Sequence, residues 1–327
     1  MTMLADGWNW LLELILSFTT PIGITEPVLQ FMLVSAILGV SIYLTLYTGM
    51  FSLANAGFMA IGAYVSVVMT QIYDIPFLIA LISGAVVAGV VAIPIGLPVL
   101  RLRDIYLAIA TIGFSEIVRI FFLNYDKMAE SVLVALGNED ARVRVLNGAR
   151  GIKGIPKVTE TWMLVLFLII VVYFLIRLHR SRFGRAMAAI RQDERAAANM
   201  GIDVVYIKNA VFVMSAILAG AAGAFNGHLT RIVVPDAFDF NLTVDILAYA
   251  VLGGTSSWLG PIVGGMVLTA LPEVLRFVNE YRGLINGLVL LGVIVYLPGG
   301  LVDIEGFKSL FRRKTPVDDK SKRASAT

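Results

Sequence analysis

No cysteine occurs anywhere in the 327-residue chain, and histidine occurs only twice, as His179 and His228. The first absence excludes a disulfide-stapled domain, a thiolate-ligated metal centre and a thiol nucleophile. The second leaves little for a histidine-rich metal site. Charge is scarce as well: 15% of residues are Asp, Glu, Lys or Arg, against about 25% in an ordinary soluble domain, too few to cover a folded surface in water. No Lys or Arg precedes Arg101. Signatures are missing too. There is no G-x-x-x-x-G-K-[ST] phosphate loop, no H-E-x-x-H, no G-x-S-x-G and no DxD-type calcium loop. There is no arginine-every-third-residue voltage sensor and no TVGYG-like filter. The reading is therefore a chain without covalent chemistry, without a cofactor and without a nucleic-acid partner, the net charge being only +3.

What is present is apolar length. Hydrophobic residues make up 58% of the chain, mean hydropathy is +0.84, and there are 30 Gly and 11 Pro, both commoner in membrane helices than in soluble ones. A spanning helix needs about 20 mostly apolar residues. Such stretches fall at 27–48, 50–70, 76–100, 104–123, 161–178, 206–227, 240–254, 258–276 and 283–299. The expectation is an all-α polytopic membrane protein of about nine transmembrane helices (eight to ten), with 161–178 and 240–254 short enough to be tilted, kinked or partial. Residues 1–26 form an N-terminal segment in which Trp8–Phe18 is too short to span. It reads as an interfacial helix or buried half-helix, and without a basic leading region it is not read as a cleaved signal.

Positive loops stay in the cytoplasm. The stretch from Arg177 to Lys208 carries seven basic residues against Asp193, Glu194 and Asp203, and seven of the 26 Lys and Arg follow Phe307. Both are expected inside, including the basic tail 303–327, which anionic lipid attraction explains. Four crossings between them keep the parity. The 124–160 loop then lies outside, as a turn-rich solvated connector or as a surface that meets an outside partner.

Within the inner loop, residues 181–201 are rich in helix formers. Ser181 is placed to cap the start and Gly201 to end the helix in the left-handed region. A single helix of about 19 residues would run about 28 Å, with Phe183, Met187, Ile190, Ala197 and Met200 near one face and the arginines at the sides. It is either an amphipathic connector on the headgroups or a docking helix for a soluble partner.

The run Arg182-Phe-Gly-Arg-Ala-Met-Ala-Ala-Ile-Arg-x-x-Glu-x-Ala-Ala-x-x-x-Gly201 resembles the coupling segment of the LivM-like permeases of branched-chain amino acid ABC importers. Tyr47–Tyr64, Leu100–Arg119, Gly151–Pro156, Val251–Gly254 with Trp258–Pro261, and Leu297–Leu301 follow the same family's motifs in order, so the resemblance covers roughly 30–302. It implies the ABC importer permease fold over 27–302. It also implies half of a translocation pathway formed with a second homologous permease chain. Two cytoplasmic ABC ATPase subunits would dock on Gly184, Arg185, Ala188, Arg191, Glu194, Ala197 and Gly201, and a periplasmic substrate-binding protein would deliver ligand. The location implied is the bacterial inner membrane, surrounded by lipid. The expected substrate is a branched-chain amino acid, with urea, short amides and other small acids as alternatives.

Candidate pathway residues are Ser52, Asn55 and Gly57 in one glycine-rich span and Thr111, Gly113 and Glu116 in another. Small residues there also suit plain helix packing, with an interhelical hydrogen bond from Asn55. Glu116 and Arg119 stand three apart and can pair. Asp245 reads as a boundary or capping charge, His228 as a polar boundary residue, and Gly223/Gly227 and Gly260/Gly264 as helix contacts. An ion-driven secondary transporter would want inverted repeats and acids at mid-membrane, whereas Glu116 and Asp245 lie toward the outer side.

Overall fold

A computed structural model describes residues 25–135 and 145–274, together with 287–288, 291–292 and 300–301. The N-terminal Trp8–Phe18 segment and the tail lie outside the described residues. So does the 283–299 span, apart from four helical positions. The described helices are α1 Glu26–Tyr47, α2 Asn55–Ile72, α3 Phe77–Val99, α4 Asp104–Ala135, α5 Thr161–Arg180, α6 Arg182–Gln192, α7 Glu194–Asn199, α8 Val204–Thr230, α9 Phe240–Gly253 and α10 Leu259–Val274. Among the described residues six are long and apolar enough to cross a membrane, namely α1 to α5 and α8.

The apolar pattern is that of a protein dissolved in lipid. On α3 the large residues Leu78, Ile79, Ile82, Val86, Val90, Ile93 and Leu97 are exposed, while Ala80, Gly84, Ala88, Ala92 and Gly96 are buried. Hydrocarbon outside gives large side chains no reason to turn inward, so association depends on how closely backbones approach. The centre of the bundle is α2, α3 and α8, joined at glycines. A Cβ on Gly62 would fall on the Gly220 carbonyl, one on Gly223 on the Met59 carbonyl, and one on Gly84 within 2.7 Å of the Gly62 carbonyl. The two small-residue pairs expected to be helix contacts are that: Gly227 meets Val67 and Val233, while Gly260 and Gly264 meet the backbone of α9.

Several expectations change. The second span does not begin at 50. After α1, residues 49–54 are non-helical and mostly buried, and α2 starts only at Asn55. The 124–160 connector is not turn-rich throughout, because α4 continues to Ala135. Nor is the chain wholly helical: Ile152–Lys153 (β1) pairs antiparallel with Ile232–Val233 (β2), Ile152 opposite Val233. Gly151 permits it, since a Cβ there would strike the Val233 carbonyl.

The stretches at 240–254 and 258–276 form two limbs of one hairpin. Along α10, Pro261 lies against Gly39 of α1 and Gly265 against Ser35, so α10 runs antiparallel to α1 and its turn with α9 sits at the level of Gly39, two thirds of the way along α1. At 14 and 16 residues, the limbs are about 21 and 24 Å long. The Leu301 N–H donates to the Leu252 carbonyl at 2.9 Å, tying the end of the last motif to this turn.

Replacing Gly62 or Gly223 by Val is expected to cost about 1–3 kcal/mol through overpacking and to lower the detergent-solubilised melting temperature. Val86→Ala on the exposed face of α3 should leave it within a degree or two. Fluorescence-detected size-exclusion after a heat ramp measures both.

Candidate functional site

The segment with the strongest expectation of function lies at the end of the bundle where α5 stops. The Ser181 hydroxyl accepts from the Gly184 N–H at 3.1 Å, so the expected cap forms. The single 19-residue helix does not. Asp193 is extended, with φ −156° and ψ 111°, and divides it into α6 and α7. Its carboxylate accepts from the N–H groups of Arg195 at 2.8 Å and Ala196 at 3.0 Å, and these hydrogen bonds hold the carboxyl below the usual aspartate range. An aspartate bonding backbone N–H groups two and three residues on competes with helix continuation, which is why the helix-rich composition did not prevail here. With a lowered folded pKa, this cap contributes across neutral pH and is lost as pH falls through the carboxyl's titration.

The break changes which residues share a face. Gly184, Met187, Ile190 and Ala197 turn inward and are buried, whereas Met200, expected with them, is 84% exposed. Arg185, Arg191 and Arg195 point outward, and Ala188 is half-buried. Gly201 has φ +82° and closes the segment as expected.

Three contacts key the segment to the bundle. Arg191 lies over the Tyr47 ring at 5.9 Å, and its Cα is 3.3 Å from where a Gly49 Cβ would stand, Gly49 itself being at φ +81°. Tyr47 packs on His179, which shares a 2.9 Å hydrogen bond with Tyr43. The nearly buried Lys208 of α8 forms a 2.8 Å ion pair with Glu194 of α7. Tyr43, Tyr47, Gly49, His179 and Lys208 carry no spacing that marks them; tertiary packing brings them together. On either side of the Glu194–Lys208 pair are clefts of about 110 and 260 Å³, lined by residues that include Arg101 and Asn209 in one and Asp104 and Gln192 in the other.

The candidate pathway residues divide into two groups. Asn55 donates to the hydroxyls of Ser41 and, at 3.1 Å, of Ser215. The two serines also bond across α1 and α8, Ser215 donating to the Ser41 carbonyl at 2.8 Å. Thr111 accepts from the Leu53 N–H at 2.9 Å, and Ser115 accepts from the Gly57 N–H at 3.2 Å and donates to the Leu53 carbonyl at 3.3 Å. These bonds satisfy the non-helical backbone ahead of α2, as hydrocarbon requires. Ser52, Asn55 and Thr111 are buried, the Ser52 hydroxyl with no hydrogen-bond partner among the described residues, and Gly57 packs on Ser115. Gly113 and Glu116 lie on the other face of α4, with open space at Gly113. Glu116 pairs with Arg119 at 2.5 Å, and Arg119 reaches Asp236, in the short helical turn Pro235–Phe238 after α8, at 2.5 Å. His228 is fully buried and bonds Thr70 at 3.0 Å, so it is not a boundary residue. Among the described residues no group of three or more His, Asp or Glu could hold a metal ion.

Residues 24–294 match the family described as the branched-chain amino acid transport system permease component. The chain is 32% identical to the high-affinity branched-chain amino acid transport system permease protein LivM of Salmonella typhimurium and 33% identical to LivM of Escherichia coli, in each case over 272 residues, 78% of this chain and 64% of the relative's length. It is 26% identical to LivH of Escherichia coli over 277 residues, covering 78% of this chain and 86% of that protein. No solved structure matched it.

Exchanging charges tests the Glu194–Lys208 latch. Glu194→Arg should speed amide exchange across 182–200 several-fold, and adding Lys208→Glu should restore it, as measured by hydrogen–deuterium exchange mass spectrometry. Gly49→Val should loosen the same peptides, because both its left-handed φ and its contact with Arg191 are lost.

Proposed function

The chain belongs to the branched-chain amino acid transport permease family, and from that premise we propose that it is a permease subunit of a binding-protein-dependent ABC importer in the bacterial inner membrane. It forms half of the translocation pathway with a second, homologous permease chain and carries branched-chain amino acids. Similarity to both LivM and LivH supports a pathway built from two related chains. The chain aligns with about two thirds of the LivM length, and whole-system activity is inferred on that footing.

The observation that carries the reading is the α6–Asp193–α7 segment. It stands at one end of the bundle, presents Arg185 and Arg195 outward, and is anchored inward by Arg191 against Tyr47 and Gly49 and by Glu194 on Lys208. A segment that only lay on headgroups would not need those anchors. Two ATPase subunits docking there push on a body keyed to the α1–α2 turn through Gly49 and to α8 through Lys208. Alternating access follows: ATP draws the ATPase pair together, the coupling segments move, and the permeases reorient. ATP hydrolysis belongs to the ATPases. Charge distribution supports a cytoplasmic location for this end and for the C-terminal tail. The hairpin α9–α10 begins and ends on the far side, so it replaces two crossings without changing that parity. The two limbs and the six long helices account for eight of the nine apolar stretches, and 283–299 lies outside the described residues apart from four helical positions.

On α4, the side bearing Gly113 and Glu116 is the proposed lining of the pathway: Gly113 is exposed with open space beside it, and the half-buried Glu116, toward the outer end, is better placed against water than against lipid. Ser52, Asn55, Gly57 and Thr111 stand behind it, where Thr111 and Ser115 of α4 bond the Leu53 and Gly57 backbone and Asn55 ties α2 to α1 and α8. A binding protein would meet the rim formed by Glu116, Arg119 and Asp236.

Affinity purification of the tagged chain from mildly solubilised native membranes should bring down a second permease and two Walker-type ATPases, identified by mass spectrometry. Purification alone, with solute uptake in liposomes driven by an ion gradient, would overturn the reading. Arg191→Glu should abolish most uptake while the protein remains folded in the membrane; unchanged uptake would remove the docking role of α6.

A further inference from the structure

The cavity of about 220 Å³ between the hairpin α9–α10 and α1, α2 and α8 meets Ser35, Asn226 and Tyr249 and is lined by no charged residue. The cleft of about 260 Å³ on one side of the Glu194–Lys208 pair balances three basic residues with three acidic ones. The cleft of about 110 Å³ on the other side does not: Arg101, Arg103 and Lys208 line it against Glu194 alone. Lys208 is nearly buried and already paired with Glu194 at 2.8 Å. Arg101 and Arg103 are exposed, and their guanidinium groups have no partner among the described residues. Asn209 stands in the same wall, its amide oxygen buried without a hydrogen-bond partner. Gly96 makes room for it, since a Cβ there would fall on that oxygen. A buried acceptor left unsatisfied calls for a donor from elsewhere.

Where the cleft opens decides what can reach it. The exposed apolar stripe of α3, Ile82, Val86, Val90, Ile93 and Leu97, ends at its mouth, and Arg101 is the next position at helical spacing. The chain still winds there: the Leu100 N–H donates to the Gly96 carbonyl at 2.9 Å. On α8, Val205 at the cleft is exposed, and Asn209, Val213 and Ile217 follow at four-residue intervals, the last two against Gly89 of α3. At 23 residues α3 is about 34 Å long, enough to cross the hydrocarbon core, so its end stands at headgroup level. Hydrocarbon is therefore on one side of the cleft and two unpaired arginines on the other. Basic pockets between membrane helices at this level take anionic headgroups, and the arginine fork matches phosphate oxygens. A cavity of roughly 150 Å³ holds the six heavy atoms of benzene, so about 110 Å³ suits a phosphate group of five. An amine-bearing headgroup would add a cation where cations already prevail; a hydroxyl-bearing one brings the donor that Asn209 lacks. We propose that this cleft binds an anionic phospholipid with a hydroxylated headgroup, such as phosphatidylglycerol. Its phosphate lies among Arg101, Arg103 and Lys208, a headgroup hydroxyl donates to Asn209, and its acyl chains start at Leu97 and Val205. Through Lys208 the lipid reaches the latch on α7. The inference needs α3 and α8 to be membrane helices and is independent of the transported solute.

The test is native mass spectrometry of the full-length chain, purified in detergent with the partners that accompany it and exposed to equal amounts of phosphatidylglycerol and phosphatidylcholine with matched acyl chains. One phosphatidylglycerol should stay bound about tenfold more tightly than phosphatidylcholine. Arg101→Gln with Arg103→Gln should remove that preference, each basic residue at headgroup level counting for several-fold in affinity. Both side chains are exposed, so the fold should survive, and Arg101→Lys with Arg103→Lys should keep most of the preference. Arg177→Gln with Arg180→Gln takes the same charge from the exposed end of α5 and should leave it unchanged. Equal retention of the two lipids would overturn the site. So would an equal loss in both glutamine pairs, which would reduce the effect to general surface potential. Displacement by millimolar inorganic phosphate would mark a free-anion site and overturn the lipid assignment. Lipid held by the chain alone and absent from its complex with partners would give the cleft to an acidic protein segment, and would overturn it too.

Discussion

Everything in this bundle depends on backbone-to-backbone approach among α2, α3 and α8. Gly62, Gly84, Gly220 and Gly223 leave no room for a Cβ, and a chain whose exterior is as apolar as its interior cannot rely on the hydrophobic effect to choose this arrangement over another. Dispersion between closely fitted surfaces has to do so, and it falls off steeply with even a small gap. Because α8 is held this tightly, Lys208 at one end and Asn226 near the other are fixed relative to the rest of the molecule, and both ends of the proposed mechanism inherit that rigidity.

Non-helical backbone occurs at two places beside this core, and each has an identifiable source of satisfaction. Ahead of α2, hydroxyls of Thr111 and Ser115 on α4 take the hydrogen-bonding places that helix would have used. At the α9–α10 turn, glycines at 253, 254 and 260 let the limbs meet, and Leu301 supplies a donor from the far end of the chain. Broken elements of this kind are tolerated within a membrane where they are buried in protein or line a water-filled cavity. One lies beneath the α6–α7 segment, and the other lies where the α9–α10 hairpin meets α1.

The α6–Asp193–α7 segment shows how local chemistry and tertiary structure divide the work. Helix formers on both sides of Asp193 make two short helices, and the aspartate's bonds to Arg195 and Ala196 make the joint. The direction in which each helix presents its side chains is then decided by what the bundle offers, the Tyr47 ring for Arg191 and Lys208 for Glu194. A straight helix could not make both contacts while burying Ala197 and exposing Met200.

The sequence by itself determined that the chain is a membrane bundle, roughly where its long helices run and which family it belongs to, and it singled out the 181–201 segment for which coupling is proposed. These follow from composition, apolar length and ordered motifs, all of which are local. It could not distinguish two crossings from a hairpin at 240–276, because hydropathy registers apolar length and is blind to direction. Nor could it separate Asn55 and Thr111, buried as supports, from Glu116, half-buried on the opposite face, since polar residues in a span look alike until their neighbours are known. The meeting of Ser35, Asn226 and Tyr249 around one cavity was decided by tertiary structure alone: only the packing of α1, α8 and α9 brings their side chains to one place.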